Sequence, residues 1–105
     1  MAKVFVSTLV KQLLPPNPKR IGWEFQFIPS SILAGNTGIV FLSVDKIPKA
    51  DAGGENNEAI LNAGAGMTRK LSEGDPPVEV QGAVWAISDT ADQQCTLKEW
   101  IDPVL

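Results

Sequence analysis

Histidine is absent from the 105 residues, and cysteine occurs once, at Cys95. Without imidazole there is no His-ligated metal site, no Ser-His or Cys-His nucleophile pair and no imidazole acid–base catalysis. A single thiol excludes an intrachain disulfide and leaves no thiolate cluster for a metal, so stability must come from packing. Long apolar runs are also missing. A membrane span needs roughly 18 to 20 consecutive apolar residues, and the longest run near the start, Val4 to Val10, is interrupted by Ser7 and Thr8. The same opening carries Lys3 but no continuous apolar stretch ending in a small-residue cleavage site, so it does not match a secretory leader. Synthesis in a cytoplasm and no membrane partner are the expectations. There is no internal repeat, and residues 1–105 are expected to form a single domain.

Apolar residues make up 44% of the chain, enough to form a core and far from the composition of disordered segments. Charge is distributed unevenly. Residues 1–20 hold Lys3, Lys11, Lys19 and Arg20 with no acid, whereas the rest holds five bases and twelve acids. Phosphate recognition needs a concentrated basic surface, so an acidic body argues against nucleic acid as the partner.

Residues 3–10 are rich in β-branched and aromatic types and read as a strand or extended arm. It runs into Leu13-Leu14-Pro15-Pro16-Asn17-Pro18, whose prolines suit an extended connector at the surface or a sheet edge. An ordinary first strand and a strand that pairs with a neighbouring subunit have the same signature here. Ile21, Trp23, Phe25 and Phe27 alternate with Gly22, Glu24 and Gln26, the period of a strand with one face in a core. Ile39 to Val44 predicts a second strand, and hairpin-like pairing of the two is expected. From Asp45 to Pro77 the pattern dissolves into glycine, asparagine and charge, which predicts a long loop (residues 45–77) available for contacts. Order resumes at Val78-Glu79-Val80, continues through Ala83 to Ile87, turns at Ser88 to Asp92 and ends in a strand from Cys95 to Ile101. The class predicted is all-β: a β-sandwich or partly closed barrel of about 6–8 strands with an extended N-terminal arm (1–20) and a long central loop.

No residue set presents catalytic machinery, and neither an enzyme nor a cofactor is expected. Cys95 reads as a packed thiol, since its nearest base in sequence, Lys98, lies on the other face of the strand. Asp89 and Asp92 read as turn residues rather than calcium ligands. Glu73 with Asp75, and Glu24 with Glu99, would need a cleft to act as acid and base. Gly64 and Gly66 fail the dinucleotide fingerprint because Arg69 stands at the third glycine position. Trp23 shares a face with core residues, whereas Trp85 and Trp100 are candidates for exposure, as an interface or as an aromatic platform for sugar.

Two segments resemble small virion proteins of tailed bacteriophages. Leu13-Leu14-Pro15-Pro16-Asn17-Pro18-Lys19-Arg20-Ile21-Gly22-Trp23-Glu24-Phe25-Gln26 is similar to their Leu-Pro-x-Asn-Pro-x-Arg opening before an apolar strand. Gly82-Ala83-Val84-Trp85-Ala86-Ile87-Ser88-Asp89, with Thr96-Leu97-Lys98-Glu99-Trp100, looks like their C-terminal hairpin. The resemblance rests on these 27 residues of the 105. It implies a β-rich structural subunit on the virion surface that decorates or cements the capsid, or forms the base of a head fibre. Its implied partners are the major capsid protein and copies of itself, as trimers on local threefold axes. The expected interface residues are Lys3, Lys11, Pro15, Pro16, Lys19, Arg20, Trp85 and Trp100, together with the 45–77 loop. The alternative expectation is a carbohydrate-binding or tail-associated adhesion module that uses exposed tryptophans.

Overall fold

A computed structural model describes residues 2–51 and 57–102. It contains eight strands: β1 (Ala2–Val6), β2 (Lys11–Leu14), β3 (Arg20–Phe27), β4 (Ile39–Val44), β5 (Ala59–Asn62), β6 (Gly66–Lys70), β7 (Val84–Ser88) and β8 (Gln93–Ile101). A 3-10 turn, Leu71–Glu73, and one short helix, α1 (Pro77–Gln81), lie between β6 and β7. The strands form two antiparallel sheets, β1-β8-β3-β6 and β2-β7-β4-β5, packed face to face. The fold is thus the expected all-β sandwich, with open edges rather than a closed barrel.

The core lies between the sheets. Trp23, Phe25 and Phe27 of β3, Cys95 and Leu97 of β8 and Met67 of β6 meet Val40, Leu42 and Val44 of β4 and Val84 and Ala86 of β7. The alternation read in β3 is therefore a true inward face from Trp23 onward. Ile21 departs from it. Arg20 pairs with Ile101 and Gly22 with Trp100, so β3 has one residue more than β8 at this point, and this bulge leaves Ile21 half-buried outside the core cluster.

Several connectivity expectations are corrected. β3 and β4 do not form a hairpin: residues 28–38 carry the chain from one sheet to the other, and β3 pairs instead with β8 and β6. Likewise β7 and β8, expected to close the chain as a hairpin, belong to different sheets. Their corner is built by Asp92 at φ 55° and by Asp89, whose Oδ1 accepts hydrogen bonds from Ile39 N at 2.8 Å and Thr90 Oγ1 at 3.0 Å. Both aspartates thus serve the turn. Among the described residues, only β4 and β5 are consecutive strands within one sheet.

The stretch 45–77 is not one loop. It contributes β5, β6 and the 3-10 turn, while residues 52–56, including Gly53-Gly54 and Asn56, lie outside the described residues. These strands escape a reading by periodicity because each buries a single side chain, Leu61 in β5 and Met67 in β6. Val78-Glu79-Val80 is helical, not extended. Pro77 occupies the first helical position, where a missing N–H costs nothing, and Gly82 N closes the turn on Val78 O at 3.1 Å.

The N-terminal segment is part of the sandwich. β1 pairs along its length with β8, and β2 pairs with β7. Its strands are the two edges on one side of the sandwich, so the arm is intrachain structure, and residues 15–19 form the proline connector between β2 and β3.

Candidate functional site

Arg20 organises the end of the sandwich where the proline connector, α1 and the last strand meet. Its side chain is fully buried. Nε donates to Glu99 Oε2 at 2.9 Å, Nη1 to the carbonyls of Gly82 at 3.0 Å and Val80 at 3.3 Å, and Nη2 to the Pro15 carbonyl. Nearby, Asn17 N donates to Gln81 O at 2.8 Å and Trp23 Nε1 to Glu79 O at 2.9 Å. A guanidinium suits this position because its fork reaches several acceptors at once. Arg20, expected at an interface, is therefore an internal clamp. It ties the proline connector, through Pro15, to the end of α1 and to β8, through Gly82 and Glu99.

The other candidate residues are dispersed. Lys3, Pro15, Pro16 and Lys19 are exposed, as is Lys11, whose Nζ donates to Phe5 O at 3.5 Å across the open edge between the sheets. Trp85 and Trp100 are both half-buried and lie on opposite outer faces. Trp85 stands between core residues Val84 and Ala86 on β7, and Trp100 follows the outward Lys98 on β8. A single platform of two tryptophans is therefore not formed. Glu24 and Glu99 are also on opposite sides of their sheet, because Glu99 follows the inward series Cys95 and Leu97 and binds Arg20. Asp75 uses Oδ2 to accept from Lys70 N at 2.8 Å. Cys95 is buried, and desolvation pushes its thiol up to about 12, so it stays protonated and unreactive near neutral pH.

The outer face of β2-β7-β4-β5 is apolar at its centre, with exposed Gln12 and Asn62 on its edge strands. Ile87, Phe41 and Ile60 form one cross-strand row, Ile39 lies beside it, and Trp85 stands opposite Ser43 in the next row. Phe41 is buried without belonging to the core cluster, whereas Ile60 is 45% exposed and Ile39, Trp85 and Ile87 are half-buried. The chain after β4 turns back against this face, with Ser43 Oγ donating to the Lys46 carbonyl and Pro48 buried.

The outer face of β1-β8-β3-β6 is polar and basic. Its rows include Trp100–Gly22–Lys70, Lys98–Glu24–Thr68 and Lys3–Thr96–Gln26–Gly66, with the exposed Phe5 opposite Gln94 at the β1 edge. Gly22 leaves room for the indole: a Cβ there would sit 2.9 Å from Trp100 Cε3 and 3.0 Å from Lys70 Cγ. Lys70 Nζ lies 4.4 Å and Lys98 Nζ 4.8 Å from the centroid of the Trp100 ring. Ile21, Lys70, Ser72 and Trp100 line a shallow pocket of about 200 Å³. Sequence reasoning picked out Trp100 but missed its neighbours. The available signal was Gly22, an isolated glycine inside a strand pattern, which marks a close approach from across the sheet.

At the far edge, Arg69 Nε lies 3.2 Å from Glu79 Oε2 without the alignment of a hydrogen bond. Glu58 joins this group. Desolvation, reinforced by the Glu79 carboxylate, raises its pKa against the opposing pull of Arg69 and Lys46. Comparison with family models, curated proteins and solved structures finds no match to this chain.

Proposed function

We propose that this chain is a non-enzymatic structural subunit of a tailed-bacteriophage virion, which decorates or cements the capsid by packing against copies of itself and the major capsid protein. The observation that carries the reading is the apolar outer face of β5-β4-β7, where Ile60 is exposed and Ile39, Trp85 and Ile87 are half-buried around Phe41, which the chain after β4 already covers. Contiguous apolar surface of this kind on a small domain marks an interaction site. The edges beside it are poor templates for sheet extension. β5 has four residues, and β2 has four and carries an irregularity between Gln12 and Leu14. Face-to-face packing is therefore the mode of assembly.

The resemblance in residues 13–26, 82–89 and 96–100 supplies the virion setting, and Lys11, Pro15, Pro16 and Lys19 are exposed on β2 and the connector that follows it. No catalytic group is required. The test is immunogold electron microscopy of particles from the source lysate with an antibody against the chain, paired with sedimentation of the purified protein. Label spread over heads, with Ile60→Glu abolishing both capsid binding and self-association at unchanged fold, is the expected result. Label on tails alone, or on no particle, overturns it.

A further inference from the structure

The face opposite the assembly surface carries a second feature, and we infer that the Trp100 pocket is a binding subsite for an anionic saccharide, with a carboxylated pyranose as the fitting unit. The indole is held across Gly22, so a flat apolar surface is fixed on the sheet without a side chain beneath it. Such a surface receives the C–H face of a pyranose ring. Lys70 and Lys98 approach it from β6 and β8, their ammonium groups 4.4 and 4.8 Å from the ring centroid. Neither of the ion pairs Arg20–Glu99 and Arg69–Glu79 involves these lysines.

A cation–π contact at an exposed ring is weak. A carboxylate arriving over the ring therefore draws both ammonium groups into stronger charge-assisted hydrogen bonds. Ser72 adds a hydroxyl for a sugar oxygen and Ile21 an apolar wall, and a volume of about 200 Å³ admits one pyranose unit in a shallow, open mode. The surrounding face holds Lys3, Lys70 and Lys98 against Glu24, a locally basic surface on a chain of net charge −3. An indole plane between two point charges selects for a ring bearing an anion over a bare oxyanion. A bare oxyanion is better met by the Arg forks or backbone N–H nests of dedicated anion sites.

This inference does not depend on the virion reading, because the two features use different sheets and separate residues. The experiment is a titration of the ¹⁵N-labelled full chain with trigalacturonate, with a neutral galactose trisaccharide and with sodium sulfate, at low ionic strength. Trigalacturonate is expected to shift the Gly22, Lys70, Ser72 and Trp100 amide signals and the Trp100 indole N–H in a saturable way. The Lys70→Gln/Lys98→Gln double variant is expected to bind at least tenfold more weakly with an unchanged melting temperature. Equal affinity for the neutral trisaccharide overturns the anionic requirement. Sulfate binding as tightly as trigalacturonate reduces the site to a general anion site and overturns the saccharide, and no saturable shift with any of the three overturns the subsite altogether.

Discussion

Replacing Arg20 with methionine keeps much of the aliphatic stem and removes all four donor contacts, to Glu99, Gly82, Val80 and Pro15. Hydrogen bonds to charged groups contribute about 1.5–3 kcal/mol each, but burying a guanidinium costs several kcal/mol and offsets much of that sum. Losing one partner of a buried pair costs about 3–5 kcal/mol. The low end applies here, because the Glu99 side chain is 38% exposed and regains water when Arg20 is gone. The remaining cost comes from the carbonyls of Val80 and Gly82, which sit against the buried end of the core. A loss of about 3 kcal/mol lowers the melting temperature of a domain this size by roughly 12–24 °C. Glu99→Gln keeps an acceptor at a partly exposed position and costs about 1 kcal/mol or less. Urea unfolding followed by tryptophan fluorescence measures both variants, with Trp23 reporting from beside the clamp through its bond to Glu79 O. Arg20→Met within 1 kcal/mol of the parent chain refutes the clamp, as does Glu99→Gln being the more damaging change.

Gly22→Val places a side chain against the Trp100 ring and the Arg69 carbonyl, which lie 2.9 and 3.2 Å from a Cβ at that position. It should cost about 1–3 kcal/mol, the usual range for overpacking, and shift the Trp100 indole N–H signal. An unchanged indole signal contradicts the packing described. Cys95 should resist iodoacetamide at pH 8 in the folded chain and react fully in urea. Its raised pKa also means that the thiol favours the fold below the unfolded value and that this contribution is lost as pH rises toward about 12, so stability should fall in alkali. Glu58 has a raised carboxyl pKa, so its ionisation opposes folding: stability is lost as pH rises through its range, the reverse of an ion-paired carboxylate. Glu58→Gln should therefore melt higher than the parent at pH 7, with the difference vanishing below pH 4. Because most connections cross between sheets and few pairings are local, stopped-flow refolding should take milliseconds to seconds; a microsecond phase carrying the full amplitude contradicts the topology.

Local pattern was enough to predict an all-β chain, the inward series Trp23, Phe25 and Phe27, the packed thiol of Cys95 and the turn aspartates at 89 and 92. Each of these rests on a period of two or on turn chemistry, which a few neighbouring residues specify. Alternation says which side chains share a face, but not which strand lies alongside. Pairing of β3 with β8 and β6, rather than with β4, depends on residues 40 (Gln26 to Gly66) to 81 (Arg20 to Ile101) positions away in the chain. The same holds for β5 and β6, whose short apolar islands become strands only when Phe41 and Phe25 are there to pair with Ile60 and Met67. Arg20 shows the difference most directly. As a base in a basic, proline-rich segment it reads as surface charge, and only the arrival of Glu99 and the Val80 and Gly82 carbonyls makes its burial favourable. Trp85 and Trp100 have similar local surroundings in sequence, yet tertiary structure sends them to opposite faces, one into an apolar surface and the other between two lysines. Periodicity sorts residues into in and out, whereas electrostatic partners and neighbours across a sheet exist only once distant strands are in register.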